Sequence, residues 1–236
     1  MMRTTNHEPR TTELILALDV DSFSKAKYFV DLLYPKVKIF KVGLQLFIAR
    51  GKKIIRYIRE KGGKVFLDLK FYDIPNTVAN ASKEVVRMGG IEMFTLHTQG
   101  GLEMMRRVKE AAREEALRLG IKAPLIIGVT LLTSEAQSSK ITPLVISLTR
   151  AARTAGLDGV VASVKETRCL RQVFGGDLII VTPGIRFAGG EKGDQKRIAT
   201  PEEARKAGSN YIVIGRPILE AQGPLITARK IIRKIS

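Results

Sequence analysis

The chain has 236 residues, 44% of them hydrophobic and 27% charged, with a formal net charge of +17. That length supports one large core, and no apolar run approaches the roughly 18 residues that a membrane span needs. The single cysteine, Cys169, excludes an internal disulfide and a multi-cysteine metal site, and it suits a reducing cytoplasm. The charge does not point to nucleic acid. Its lysines and arginines are spread over separate helical segments, such as Lys52, Lys53, Arg56 and Arg59, then Arg106, Arg107 and Lys109, then Arg229, Lys230, Arg233 and Lys234. There is no Trp, and no aromatic side chains are interleaved with these cations as stacking platforms would be.

In chain order, residues 1–12 read as a flexible polar extension without the apolar middle of a signal peptide. Eight apolar runs follow as strands: Leu14–Val20, Ile39–Gly43, Val65–Lys70, Ile91–His97, Leu125–Thr130, Gly159–Ser163, Leu178–Pro183 and Tyr211–Gly215. They are continuous rather than alternating, as parallel strands covered on both faces are. Between them lie amphipathic segments. Ser22 caps one that ends at Leu33, and Leu44–Lys61 stops at Gly62-Gly63. Leu102–Leu119 stops at Gly120, and Thr200-Pro201-Glu202-Glu203 opens another with a cap, a first-turn proline and a capping glutamate. The last runs from about Leu219 to the end. Eight βα units over residues 13–236 match a single-domain (β/α)8 TIM barrel, with a doubly wound open sheet as the alternative.

Polar residues collect at one end of these strands. Asp19 closes the first, Lys41 stands in the second, and Asp68, Lys70 and then Asp73 follow the third. His97 ends the fourth and reads as a hydrogen-bonded structural histidine. Thr130–Thr133, Pro183–Arg186 and Gly215-Arg216-Pro217 end the fifth, seventh and eighth. Barrel enzymes place their chemistry at these ends.

Lysines occupy the places that a divalent metal would want between the carboxylates, so no metal site is expected. The lack of a GxGxxG or Walker loop argues against NAD and ATP. What remains is Lys70 as a proton donor, held cationic by Asp68 and Asp73, which suits a reaction passing through a carbanion. Arg186, Gly215 and Arg216 sit where this fold binds phosphate. The stretch Phe187–Arg197, with Gly189, Gly190, Gly193 and Gln195, reads as a lid over it.

The stretch Asp68–Thr77, DLKFYDIPNT, resembles the signature of the orotidine 5′-monophosphate decarboxylase family. So do Ala17-Leu18-Asp19, Lys41-Val42-Gly43, Val129–Ser134, Pro183–Arg186 and Ile214–Pro217, in the family's order and over nearly the whole chain. Tyr72 departs from the pattern, which often has histidine there.

The resemblance implies a cofactor-free decarboxylation of orotidine 5′-monophosphate to uridine 5′-monophosphate. Lys41, Asp68, Lys70 and Asp73 would form a Lys-Asp-Lys-Asp tetrad, with Lys70 protonating the ring carbon and Asp68 beside the departing carboxylate. Asp19 and Lys41 would bind ribose, and Thr133 the pyrimidine. Arg186, Gln195, Gly215 and Arg216 would hold phosphate. Asp73, Ile74 and Thr77 would reach into a neighbouring subunit, which implies a homodimer. A metal-dependent phosphosugar decarboxylase of the same barrel type is the nearest alternative, against which Ile74-Pro75-Asn76-Thr77 argues. A non-catalytic basic nucleic-acid-binding barrel is the other.

Overall fold

The computed structural model describes residues 11–132, 141–187 and 199–236. Its described strands close into one barrel in sequence order, β1-β2-β3-β4-β5-β6-β7-β8, every neighbouring pair parallel. The strands are β1 (Glu13–Ala17), β2 (Ile39–Gly43), β3 (Lys64–Phe71), β4 (Ile91–His97), β5 (Leu125–Val129), β6 (Gly159–Val161), β7 (Ile179–Thr182) and β8 (Tyr211–Ile214). All eight apolar runs are strands, and the open-sheet alternative falls because β1 pairs with β8, Glu13 opposite Tyr211.

Around them run α1 (Phe23–Leu33), α2 (Leu44–Glu60), α3 (Pro75–Met88), α4 (Gly101–Arg118), α5 (Ile141–Thr154), α6 (Val164–Phe174), α7 (Pro201–Ala207), α8 (Arg216–Leu219) and α9 (Pro224–Ile235). The caps read from sequence form. Ser22 accepts from the Lys25 N–H, and Thr200 and Glu203 close a reciprocal capping box with Pro201 in the first turn. One expectation fails at the end of the chain. The helix expected from about Leu219 begins only at Pro224, whose missing N–H suits a first turn, and Leu219 instead ends the short α8. The expected extension also ends earlier than residue 12. Thr12 is buried and donates to the Ser209 carbonyl at 2.8 Å, while residues 1–10 lie outside the described part.

The core has two layers, set by the two-residue alternation of the strands. Leu14, Leu16, Phe40, Leu67 and Phe94 point out against the helices. Ile15, Ala17, Ile39, Phe66, Met93 and Ile127 fill the barrel interior. This inner column decides where the chemistry sits. Two residues beyond Ala17, Ile39, Phe66 and Met93 stand Asp19, Lys41, Asp68 and Thr95. The next inward position on each of four strands is therefore polar, at the mouth where the strands end.

Candidate active site

A cleft of about 610 Å³ opens at the C-terminal ends of the strands. Its floor is apolar, from Ala17, Phe66, Val181 and Val213. Asp19, Lys41, Asp68, Lys70, Arg186, Gly215 and Arg216 line it above that floor. Seven of the sequence-expected residues thus share one cleft, although they come from five strands and the loops after them.

Asp68 is the hub. Both its oxygens accept from the Lys70 ammonium at 2.9 Å, and Lys41 Nζ stands 3.6 Å away. Thr95 Oγ1 donates to Asp68 Oδ1 at 3.0 Å. Lys41 in turn holds Asp19 Oδ1 at 3.0 Å. The chain of charges runs Asp19, Lys41, Asp68, Lys70, alternating in sign.

The Asp68 side chain is only 13% exposed. Burial alone would push its carboxyl up, but Lys41, Lys70 and the hydroxyl of Thr95 outweigh it and hold the pKa below the usual aspartate value. Burial likewise pushes Lys41 down, and Asp68 and Asp19 reverse that, so its ammonium is held above the usual lysine value. Asp68 and Lys41, 13% and 12% exposed, thus each favour the charged form of the other. Two unit charges about 4 Å apart at an effective dielectric of about 20 interact by about 4 kcal/mol.

Lys70 has φ = 51°, the one described non-glycine residue in the left-handed region. The pairing of β3 with β4 shifts register there, between Leu67 and Phe71. Two residues apart, Asp68 and Lys70 would share one face of a regular strand. They do meet, but through this bulged turn rather than by plain alternation.

The expectation that Asp73 also holds Lys70 needs correcting for the single chain. The Asp73 carboxylate is exposed and accepts from the Ile74 N–H at 2.6 Å, at the start of α3. Among the described ion pairs Lys70 meets Asp68, not Asp73. Asp73, Ile74 and Thr77 line no part of the chain's own cleft. Thr133, Gln195 and the expected lid glycines lie outside the described residues.

Sequence reasoning missed Thr95. The signal was present, since Thr95 follows the inward-facing Met93 by two residues, but a threonine inside an apolar run does not stand out as a charge does. Glu220 also lines the cleft and was not singled out. His97 packs against Tyr72 with ring centroids 5.7 Å apart and the rings tilted by 44°.

The sequence matches the family model described as Orotidine 5'-phosphate decarboxylase / HUMPS family over residues 12–231. The chain belongs to that family. It is 45% identical to the orotidine 5'-phosphate decarboxylase of Moorella thermoacetica over 232 residues, covering 94% of this chain and 92% of that protein. With the enzyme of Geobacter sulfurreducens it shares 46% over 231 residues, 94% of this chain and 95% of the other. The crystal structure of the Lactobacillus acidophilus orotidine 5'-phosphate decarboxylase superimposes with a TM-score of 0.82 at 33% identity, over 95% of this chain and 99% of that one. That of Pyrococcus horikoshii gives 0.77 at 27%, over 94% and 98%. The fold thus agrees with that of relatives matched along nearly their full length.

Proposed function

We infer that this chain decarboxylates orotidine 5′-phosphate to uridine 5′-phosphate and carbon dioxide in pyrimidine biosynthesis. The observation that carries this reading is the Lys70 ammonium 2.9 Å from both oxygens of Asp68, in an open cleft that Arg186 and Arg216 also line.

The arginines, with the Gly215 backbone, bind the phosphate, where glycine lets an N–H approach an anion closely. Asp19 and Lys41 bind the ribose hydroxyls. This leaves the pyrimidine over Asp68 and Lys70, with Thr133 as the ring's contact and Gln195 as a further partner of the phosphate. As the carboxylate leaves as carbon dioxide, the bonding pair stays on the ring carbon. Lys70 Nζ stabilises the growing charge and then delivers its proton there. Asp68 holds the Lys70 ammonium in place through both its oxygens. Phosphate and ribose contacts are remote from the reacting carbon, and their binding energy holds the ring against the tetrad. No cofactor is needed, because the charge is met by preset ammonium groups.

We assign the finer arrangement to a cytoplasmic homodimer with shared sites. Asp73, Ile74 and Thr77 then complete the neighbour's tetrad and pocket. Two features support this. Those residues line no part of their own cleft, and the stretch after β3 bears exposed apolar side chains, Tyr72 at 61% and Ile74 at 66%. A patch of that kind on a polar rim suits a protein partner.

The decisive test is the ultraviolet assay on orotidine 5′-monophosphate in excess EDTA. Steady turnover is expected. Its loss on chelation would favour a metal-dependent phosphosugar decarboxylase. No turnover, with steeply salt-dependent binding of DNA or RNA, would favour a nucleic-acid-binding barrel.

A further inference from the structure

Thr95 is fully buried on β4, and its surroundings give it more than a packing role. Opposite it, β3 is crowded. Leu67 pairs with Phe94 and Phe71 with Leu96, so three β3 residues, Asp68, Leu69 and Lys70, face the single residue Thr95. A bulge of this kind leaves a backbone N–H without its ladder partner. Here the Lys70 N–H donates to Thr95 Oγ1 at 2.9 Å. A hydroxyl has one proton to give, and Thr95 gives it to Asp68 Oδ1 at 3.0 Å. The direction of both bonds is therefore fixed, from the Lys70 backbone to the hydroxyl, and from the hydroxyl to the carboxylate. The same hydroxyl anchors a residue held at φ = 51°, a conformation that persists only where its surroundings enforce it.

We propose that Thr95 is a positioning residue for the reaction. Through one hydroxyl it holds the Lys70 backbone in the left-handed turn and Asp68 as an acceptor, so that Nζ stands ready to meet the ring carbon. The role rests on the decarboxylase reading above. It goes further by naming what keeps the proton donor in register where β3 bulges against β4. A methyl in place of the hydroxyl strands the Lys70 N–H and removes one bond to Asp68. The groups facing Asp68 are then Lys41 from β2 and Lys70 from β3 itself, with Asp19 after β1 behind Lys41. Loss of a hydrogen bond to the charged form moves a carboxyl upward.

The test compares Thr95→Val and Thr95→Ser with the parent by steady-state kinetics, a pH profile of kcat and crystallography. For Thr95→Val, kcat should fall about ten- to a hundredfold with KM within about threefold, the effect of a misplaced catalytic group. The acid limb of kcat should move to higher pH, and Thr95→Ser should restore most of both. In the Thr95→Val crystal, Lys70 should leave the left-handed region and its Nζ should part from Asp68. Unchanged kcat, or a loss of kcat with no movement of the acid limb, overturns the proposal. So does an unaltered Lys70 turn in the crystal, which is read without any assay. Thr95→Ala replaces Thr95→Val on the same criteria if the valine does not fold. A parent that folds but does not turn over orotidine 5′-monophosphate sinks the decarboxylase reading instead, and the crystal comparison still judges the turn.

Discussion

Asp68 and Glu115 are both carboxylates sunk nearly out of solvent, 13% and 5% exposed, and each is held by two cations. Asp68 meets Lys41 and Lys70 at the mouth of the barrel. Glu115, on α4, meets Arg87 of α3 at 2.8 Å and Arg118 one turn along its own helix at 2.5 Å. Both carboxyls are held below their usual pKa by those partners. A buried, perturbed carboxylate is thus not enough to mark a site, because structural ion networks perturb it as strongly. Three things separate the two. Asp68 lines an open cleft. Its partners are lysines, which can give up a proton where arginine cannot. Its neighbour Lys70 sits on strained backbone, whereas α3 and α4 are regular helices.

The comparison breaks most sharply at Lys70. Lys70→Ala should lower turnover by on the order of a thousandfold or more, as loss of a preset charge in a water-poor site does. Nucleotide binding, measured calorimetrically with uridine 5′-monophosphate, should survive. Near-normal turnover would remove Lys70 as the donor. Arginines at the mouth should also differ from those on the wall. Arg216→Ala should cost about ten- to a hundredfold in kcat/KM, since one charged hydrogen bond is worth about 1.5–3 kcal/mol. Most of that loss should appear as a raised KM. A fall in kcat at constant KM would place Arg216 elsewhere than at the phosphate.

A smaller effect tests where Asp73 belongs. Lys70→Ala and Asp73→Ala subunits are each expected to be impaired. If each site takes Asp73 from the other chain, a hybrid dimer carries one doubly defective site and one intact site. Equal mixing makes half the dimers hybrid, so about a quarter of the parent activity should return. No recovery after proven subunit exchange would mean that each site is built from one chain, and that a movement must bring Asp73 to Lys70.

These differences bear on what could be read from residues alone. The eight strands were legible because parallel strands buried on both faces are written as unbroken apolar runs. The mouth was legible because charges there interrupt those runs: Asp19, Lys41, Asp68 and Lys70 all stood out by their cost of burial. Thr95 did not, since a threonine suits a strand as well as valine does, and only the bulge opposite it reveals its hydroxyl's use. Asp73 was legible as a charge but not as to which site it faces, because sequence spacing does not register a turn whose carboxylate binds its own helix start. The pairing of Glu115 with Arg87, 28 residues earlier, depends on how α3 packs on α4, and no spacing within either helix announces it.

Glu115 supplies the last and smallest test. Arg118 first, then Arg87, hold its carboxyl at about 2, below the usual 4.5. The unfolded chain therefore takes up that proton first as pH falls. The stabilisation is complete above about 4.5 and is lost as pH drops toward about 2. Glu115→Gln should lower Tm at pH 7 without changing kcat or KM, and the gap in Tm to the parent should close between pH 4.5 and pH 2. Thermal melts at pH 7 and pH 3 read this directly. A gap that stays constant with pH would mean that shape rather than charge holds Glu115 in the seam. A loss of activity at pH 7 would mean that the α3–α4 seam reaches the mouth, through the Asp73 end of α3, and that the two carboxylates are not independent after all.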